Sequence, residues 1–427
     1  MTRTTETTEQ AVGRLQETVE GLREPMLEFL SGSVRCPSVS GDEDAIHGFL
    51  TAWFDANDWT HETQQLHLTA AGRAADPATE PRLEHRRNIV AWPRPPREGV
   101  PTVVLNGHID VVPPGDVDSW TLSPFSGARR GGRVHGRGSV DTKGPIASGI
   151  FALHALRKLD VDLPFDVAVQ LVVAEETTGI GTRAAFERIE RPAAAVVLEP
   201  TGGIAAPAGT GLLFFRIEID GVSAHTSAPW RGQDAFLHLM RVHTALADLA
   251  DTRAEEHRSE YFADIPTPVP FVMGTVRAGT WRAAVPDTAE MAGRWGVAAG
   301  EDLDEMRARI ESLVAKVDAD AGWGARPSRV VWQHELPGWQ TDAAEPLVRA
   351  VQQSIDAVRG SATPLVGLTA ATDAAQYGPR GIPTIIYGPG DTALAHSPDE
   401  SIEEDEVVAS AQVLARTVLA LASRTTS

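Results

Sequence analysis

Residues 103–115 read VVLNGHIDVVPPG: an apolar run that stops in a histidine, one spacer and an aspartate, with Pro113 and Pro114 fixing the exit. The apolar part reads as a buried strand. An imidazole and a carboxylate are costly to bury unless each finds a partner. Open α/β sheets hold their ligands beyond the carboxyl ends of the strands. The stretch therefore predicts a sheet strand that delivers His108 and Asp110 to a polar site.

The flanking sequence repeats this design. A helix runs from Pro145 through IASGIFALHALRKL, followed by the strand FDVAVQLVVA, a helix near TRAAFERI and the strand AAVVLEP. Continuous apolar strands separated by helices predict a mainly parallel α/β sheet covered on both faces. Upstream, EPMLEFLSGSVRCPSVSG reads as a helix running into a turn, and DEDAIHGFLTAWFDAN as an amphipathic helix started by Asp42. Residues 71–86 are polar and Pro/Ala-rich, a surface excursion. From residue 209 the pattern changes to β-α-β-β-α-β, the signature of a small α+β sandwich. The chain thus divides into a large domain in two parts, 1–208 and 338–427, with a small domain inserted at 209–337.

The 427 residues carry a formal net charge of -20, which repels nucleic acid phosphates and anionic lipid heads. Hydrophobic residues at 42% and charged residues at 22% are those of a soluble globular enzyme. Cys36 is alone, which excludes an intramolecular disulfide and a cysteine metal cage. The N-terminus lacks the apolar core of a signal peptide, and no run reads as long enough to span a bilayer. The expectation is a cytoplasmic protein with no nucleic acid or membrane partner.

Other strands end as the first does: Glu175 and Glu176 follow QLVVA, and Glu199 follows AVVL. Asp141 in GRGSVDTKGP and His396 in GPGDTALAHSPDE lie on loops. Hard oxygen donors with two imidazoles suit one or two divalent ions such as zinc, manganese or cobalt. Singly, each of these residues is ordinarily a cap or a loop hydrogen-bonding group. Their joint order points to a site.

The motifs GHIDVVP, GRGSVDTKG, AEETTGIGT, LEP, GVSAHTSAPWRG and GPGDTALAHSPDE occur in that order. In this the chain resembles the dinuclear metallohydrolases of the M20 peptidase group, relatives of acetylornithine deacetylase, succinyl-diaminopimelate desuccinylase and glutamate carboxypeptidase. The resemblance implies that Asp141 bridges two metals, one held with His108 and Glu199, the other with Glu176 and His396. It implies Glu175 as general base, with Asp110 fixing the His108 ring through its other nitrogen. It also implies that His225 reaches across a homodimer interface to stabilise the oxyanion in the partner's site, and that the Asp141–Thr142 peptide is cis.

The expected activity is hydrolysis of a C–N amide bond in a small N-acyl or carboxylate-bearing compound. The usual carboxylate clamp of such relatives, however, falls at Ala283 or Ala284, Gly296 and Ala375. Arg282 and Arg294 are nearby, and strand register decides where they face. Tyr377, Trp281 and Trp295 supply aromatic surface if they face the cleft. Hydrolytic deamination of an amino-substituted aromatic acid, an aminopeptidase activity on small peptides, and a non-catalytic binding relative are the rival readings.

Overall fold

The computed structural model describes residues 8–66, 85–323 and 325–425. The excursion expected at 71–86 lies outside them but for its last two residues, of which Arg86 is buried. The chain forms two compact units, one of Met1–Pro207, Thr341–Val366 and Thr372–Ser427, the other of Ala208–Gln340 and Gly367–Ala371. The short strand Gly367–Leu368 joins the second unit because it pairs in parallel with Ala208–Gly209.

The first unit is built on a six-stranded sheet in the order Thr60–Gln65, Arg87–Trp92, Asp166–Val172, Thr102–His108, Ala194–Val197, Thr384–Ile386. The last four are mutually parallel, and the first two are antiparallel additions at one edge. This matches the mainly parallel α/β reading. The quoted stretch forms a central strand whose pattern is buried from Val103 to His108. Gly107 permits the helix Gly144–Lys158 to lie against it, since a β-carbon there would sit 2.7 Å from Ile146 Cγ1. Because these strands are parallel and in register, with His108 opposite Val172, their carboxyl ends share one edge.

Two expectations need correction. The helix Asp44–Ala56 is not started by Asp42: its N-cap is Glu43, whose side chain makes no cap bond but pairs with Arg86. The ion pair out-competes the cap because Arg86 is buried and needs a counter-charge. The expectation that no run could span a bilayer also fails on length and composition, because the 20-residue segment Glu404–Ser423 contains an 18-residue window of mean hydropathy 1.3. Half of that window is buried, with Val407, Val408, Ala411, Leu414 and Val418 packed into the core of the first unit. The apolar composition reflects that packing.

The second unit is an antiparallel sheet in the order Phe271–Ala278, Thr288–Val297, Gly211–Asp220, Arg329–Leu336. The helices Ala235–Glu256 and Leu303–Asp320 pack on one face, the β-α-β-β-α-β order expected. Asp234 and Asp302 start them, each accepting a backbone N–H from the first turn. Alternation along Gly211–Asp220 sends Leu213, Phe215, Ile217 and Ile219 inward and Phe214, Arg216 and Glu218 to the helix-free face.

Leu414→Ala should destabilise the protein by about 2–5 kcal/mol, read as a lower urea midpoint in detergent-free buffer. An unchanged midpoint would mean that this face of the C-terminal helix is not part of the core.

Candidate metal centre

His108 is the last residue of its strand, and Glu175 and Glu176 follow the neighbouring strand Asp166–Val172 after a backbone reversal at Ala174, whose φ is +67°. The Ala174 carbonyl accepts from the Thr178 and Gly179 amides, closing the turn that presents both glutamates. Glu199 follows the strand Ala194–Val197. Asp141 comes from the loop before the helix Gly144–Lys158, where its bond to Thr142 is cis. His396 comes from a loop, with a left-handed backbone.

These side chains converge in two sets that share Asp141. The first is His108, Asp141 and Glu199, the second Asp141, Glu176 and His396, with ligand atoms in each within 4.8 Å of one another. His108 Nε2 lies 2.9 Å from Asp141 Oδ1 and 3.8 Å from Glu199 Oε1. His396 Nε2 lies 3.2 Å from both Asp141 Oδ2 and Glu176 Oε2. Each oxygen of Asp141 thus faces a different histidine.

The charges do not balance. Burial raises the pKa of Glu175 well above the carboxylate range, His108 opposing and Glu199, Asp373 and Glu176 adding. Burial does the same to Glu199. Asp373, also buried, is pushed up to about 7 although Thr182 donates to it. Burial works against a charged His108, but the bond to Asp141 and the fields of Glu199 and Glu175 outweigh it and hold its pKa well above the ordinary range. Hydrogen bonds to Asp141 and Glu176 push His396 up to about 10. For Asp141 burial is overcome by the two imidazoles, which hold it below the usual range.

Divalent ions fit this arrangement. The carboxylates outnumber the imidazoles in a mostly buried space, and the buried Oε1 of Glu176 has no hydrogen-bond partner among the described residues. An uncompensated buried carboxylate oxygen is costly, and a cation placed among such donors reverses the cost.

Asp110 differs in detail from expectation. His108 Nδ1 donates to the backbone carbonyl of Asp110 at 2.8 Å, while the carboxylate is 3.8 Å away. That carboxylate instead accepts from Ser40 Oγ at 2.6 Å and from the Glu175 amide at 3.3 Å, with Arg86 3.6 Å away. Asp110 therefore sets the His108 tautomer through its main chain and anchors Glu175 through its side chain. Of the adjacent glutamates, Glu176 reaches His396, while the Glu175 carboxyl lies in the fields of His108 and Glu199.

His225 lies in the second unit, exposed, on a turn that bridges to Ala284. The Ser227 amide donates to its Nδ1 at 3.1 Å, which leaves the neutral ring's proton on Nε2. Tyr377 and Trp295 do not offer aromatic surface. Tyr377 is buried with its hydroxyl on Gln170 Oε1 at 2.5 Å, and Trp295 is buried beneath Arg253. Trp281 is 66% exposed, with Arg282 over its ring. Gly296 has no room for an arginine, because a β-carbon there would lie 2.6 Å from the Val269 carbonyl carbon. Arg294 sits opposite Phe214 on the helix-free face and donates to the Thr369 carbonyl, with no ion pair among the described residues. Asp373 was missed by sequence reading. Its signal is the segment ATDAAQYG, which also holds Ala375.

Residues 104–420 match the model of peptidase family M20/M25/M40. The chain is 26% identical over 388 residues to an acetylornithine deacetylase of Klebsiella pneumoniae, covering 89% of this chain and 93% of that one. It resembles the structure of aminopeptidase PepT from Bacillus cereus with a TM-score of 0.71 at 19% identity, covering 94% and 99% of the two chains. It also resembles a dinuclear metal-binding M20 peptidase from Bacillus subtilis, with a TM-score of 0.67 at 16% identity over 95% and 99%. At these identities the structural likenesses establish the fold.

The neighbouring carboxylates raise the pKa of both histidines above that of a free imidazole, and a metal ligand must be deprotonated. Raising the pH removes the competing protons, so apparent metal affinity should climb by up to about tenfold per pH unit for each proton expelled. Calorimetry in buffers of different ionisation enthalpy should show proton release. Heats independent of the buffer would contradict it.

Proposed function

The chain belongs to peptidase family M20/M25/M40 and is a hydrolase of that family; from that premise we propose that it cleaves the C–N amide bond of a small N-acyl or carboxylate-bearing compound. The observation that carries this reading is the pair of ligand sets sharing Asp141, with Glu175 anchored beside them. The deacetylase relative of similar length supports an N-acyl substrate.

His108 and Glu199 would hold one ion and Glu176 and His396 the other, with Asp141 common to both. The bound ions, zinc in our reading with manganese or cobalt as alternatives, would supply Lewis acidity that acidifies a water and polarises the substrate carbonyl. Glu175 takes the proton of the attacking water and delivers it to the leaving nitrogen. Its backbone is tied to Asp110, which fixes the point from which the side chain starts, while Glu176 is directed to His396. His225, whose Nε2–H is a donor, stabilises the developing oxyanion of the partner subunit's site.

A homodimer is part of this reading. Phe271–Ala278 is an edge strand, with Val272 and Val276 more than half exposed, and Leu237 and Met240 of the helix in the same unit are exposed as well. An apolar strand edge of this kind is a template for pairing with a second copy. Gly296 excludes the usual arginine, and Arg294, on the helix-free face of the second unit with no ion pair among the described residues, is a cation able to bind a carboxylate. With Tyr377 and Trp295 packed inside, the aromatic-amine reading loses most of its support.

Zinc-, cobalt- and manganese-loaded protein should turn over N-acyl amino acids, and Glu175→Gln should lower kcat about 10²–10⁴-fold while keeping its metal. Mixing the inactive Glu175→Gln and His225→Ala proteins should restore roughly a quarter of wild-type activity, from mixed dimers with one complete site. Turnover confined to amino-substituted aromatic acids would replace the substrate proposal. Absence of complementation would remove His225 from the partner's site.

A further inference from the structure

Glu400 closes the motif that carries His396, and its side chain is fully buried against Arg137, itself only 2% exposed. Glu400 Oε2 accepts from Arg137 Nη1 at 2.6 Å and from the Gly138 amide at 3.0 Å. Its Oε1 accepts from the amides of Val140 at 2.8 Å and Asp141 at 3.2 Å. Arg137 Nη1 also donates to the carbonyl of Ser397, the residue after His396, and its guanidinium lies over the Trp120 ring. The main chain adds a bond from the Gly136 amide to the Glu400 carbonyl.

One buried ion pair thus grips the loop of Asp141 at several amides and the loop of His396 at its next carbonyl. A buried ion pair is weak evidence of stability, since apolar groups of similar volume often do as well or better. What these contacts do specify is geometry between two loops far apart in the chain. The need is uneven across the site. His108 and Glu199 stand at or beside sheet strands, whereas the His396 side chain is 52% exposed on a loop.

We propose that the Arg137–Glu400 pair is a positioning element that holds His396 in register with Asp141, and that its loss weakens one metal position, that of Asp141, Glu176 and His396, more than the other. This rests on the metal-centre reading above. Neither residue touches the reacting atoms.

The test is metal binding, independent of turnover. Wild type, Arg137→Lys, Glu400→Gln and the Arg137→Met/Glu400→Gln double variant are titrated with cobalt, followed by visible absorption, and with zinc against a chelator. Circular dichroism melts of the metal-free proteins report the fold. The double variant guards against the stranded charge that either single removal leaves buried. Wild type should bind two ions, and the folded variants should keep one tight ion and bind the second about tenfold to a hundredfold more weakly. Wild-type affinity for both ions in the variants that fold overturns the proposal. A wild type that binds no pair of ions refutes the metal-centre reading instead.

Discussion

Asp141 lies 2.9 Å from one histidine and 3.2 Å from another, each facing a different carboxylate oxygen. The rest of the site is arranged around that doubly shared group. Glu199 and Glu176 extend it on either side, Asp373 adds a further buried acid and Glu175 a half-buried one. Concentrating carboxylates in a space of low dielectric is strongly unfavourable without cations. The parallel sheet meets the geometric half of this demand by bringing strand ends to one edge. Divalent ions held by these residues would meet the electrostatic half.

Much of this was legible in the sequence because strand ends are local signals. The apolar run of VVLNGHID stops where burial would become costly, and the same sign marks Glu175 and Glu199. The β-α-β-β-α-β order of the second unit was legible for the same reason, since strand and helix periods are properties of short windows. Asp42 was misread because capping competes with an ion pair to Arg86, a residue distant in sequence. The apolar C-terminal helix was misjudged because composition does not separate a core helix from a membrane span.

Contacts that join distant segments were illegible by nature. That Asp110 serves His108 by its carbonyl and Glu175 by its carboxylate depends on where a turn ends, to within an ångström or so. Glu400 and Arg137 sat inside motifs already singled out, yet nothing in one dimension says that their side chains meet. Register did decide one open question: Arg294 lies across from Phe214 and so on the helix-free face, while Trp295 beside it faces the core. Tyr377 shows the converse, an aromatic residue suited to a substrate surface but spent on a buried hydrogen bond.

The most direct measurement is a crystal structure of the zinc-loaded protein with anomalous data collected on both sides of the zinc absorption edge. Two peaks are expected, one contacted by His108 and Glu199 and the other by Glu176 and His396, with Asp141 touching both. Zinc at a different set of residues, or a zinc pair that Asp141 does not bridge, would contradict the central claim.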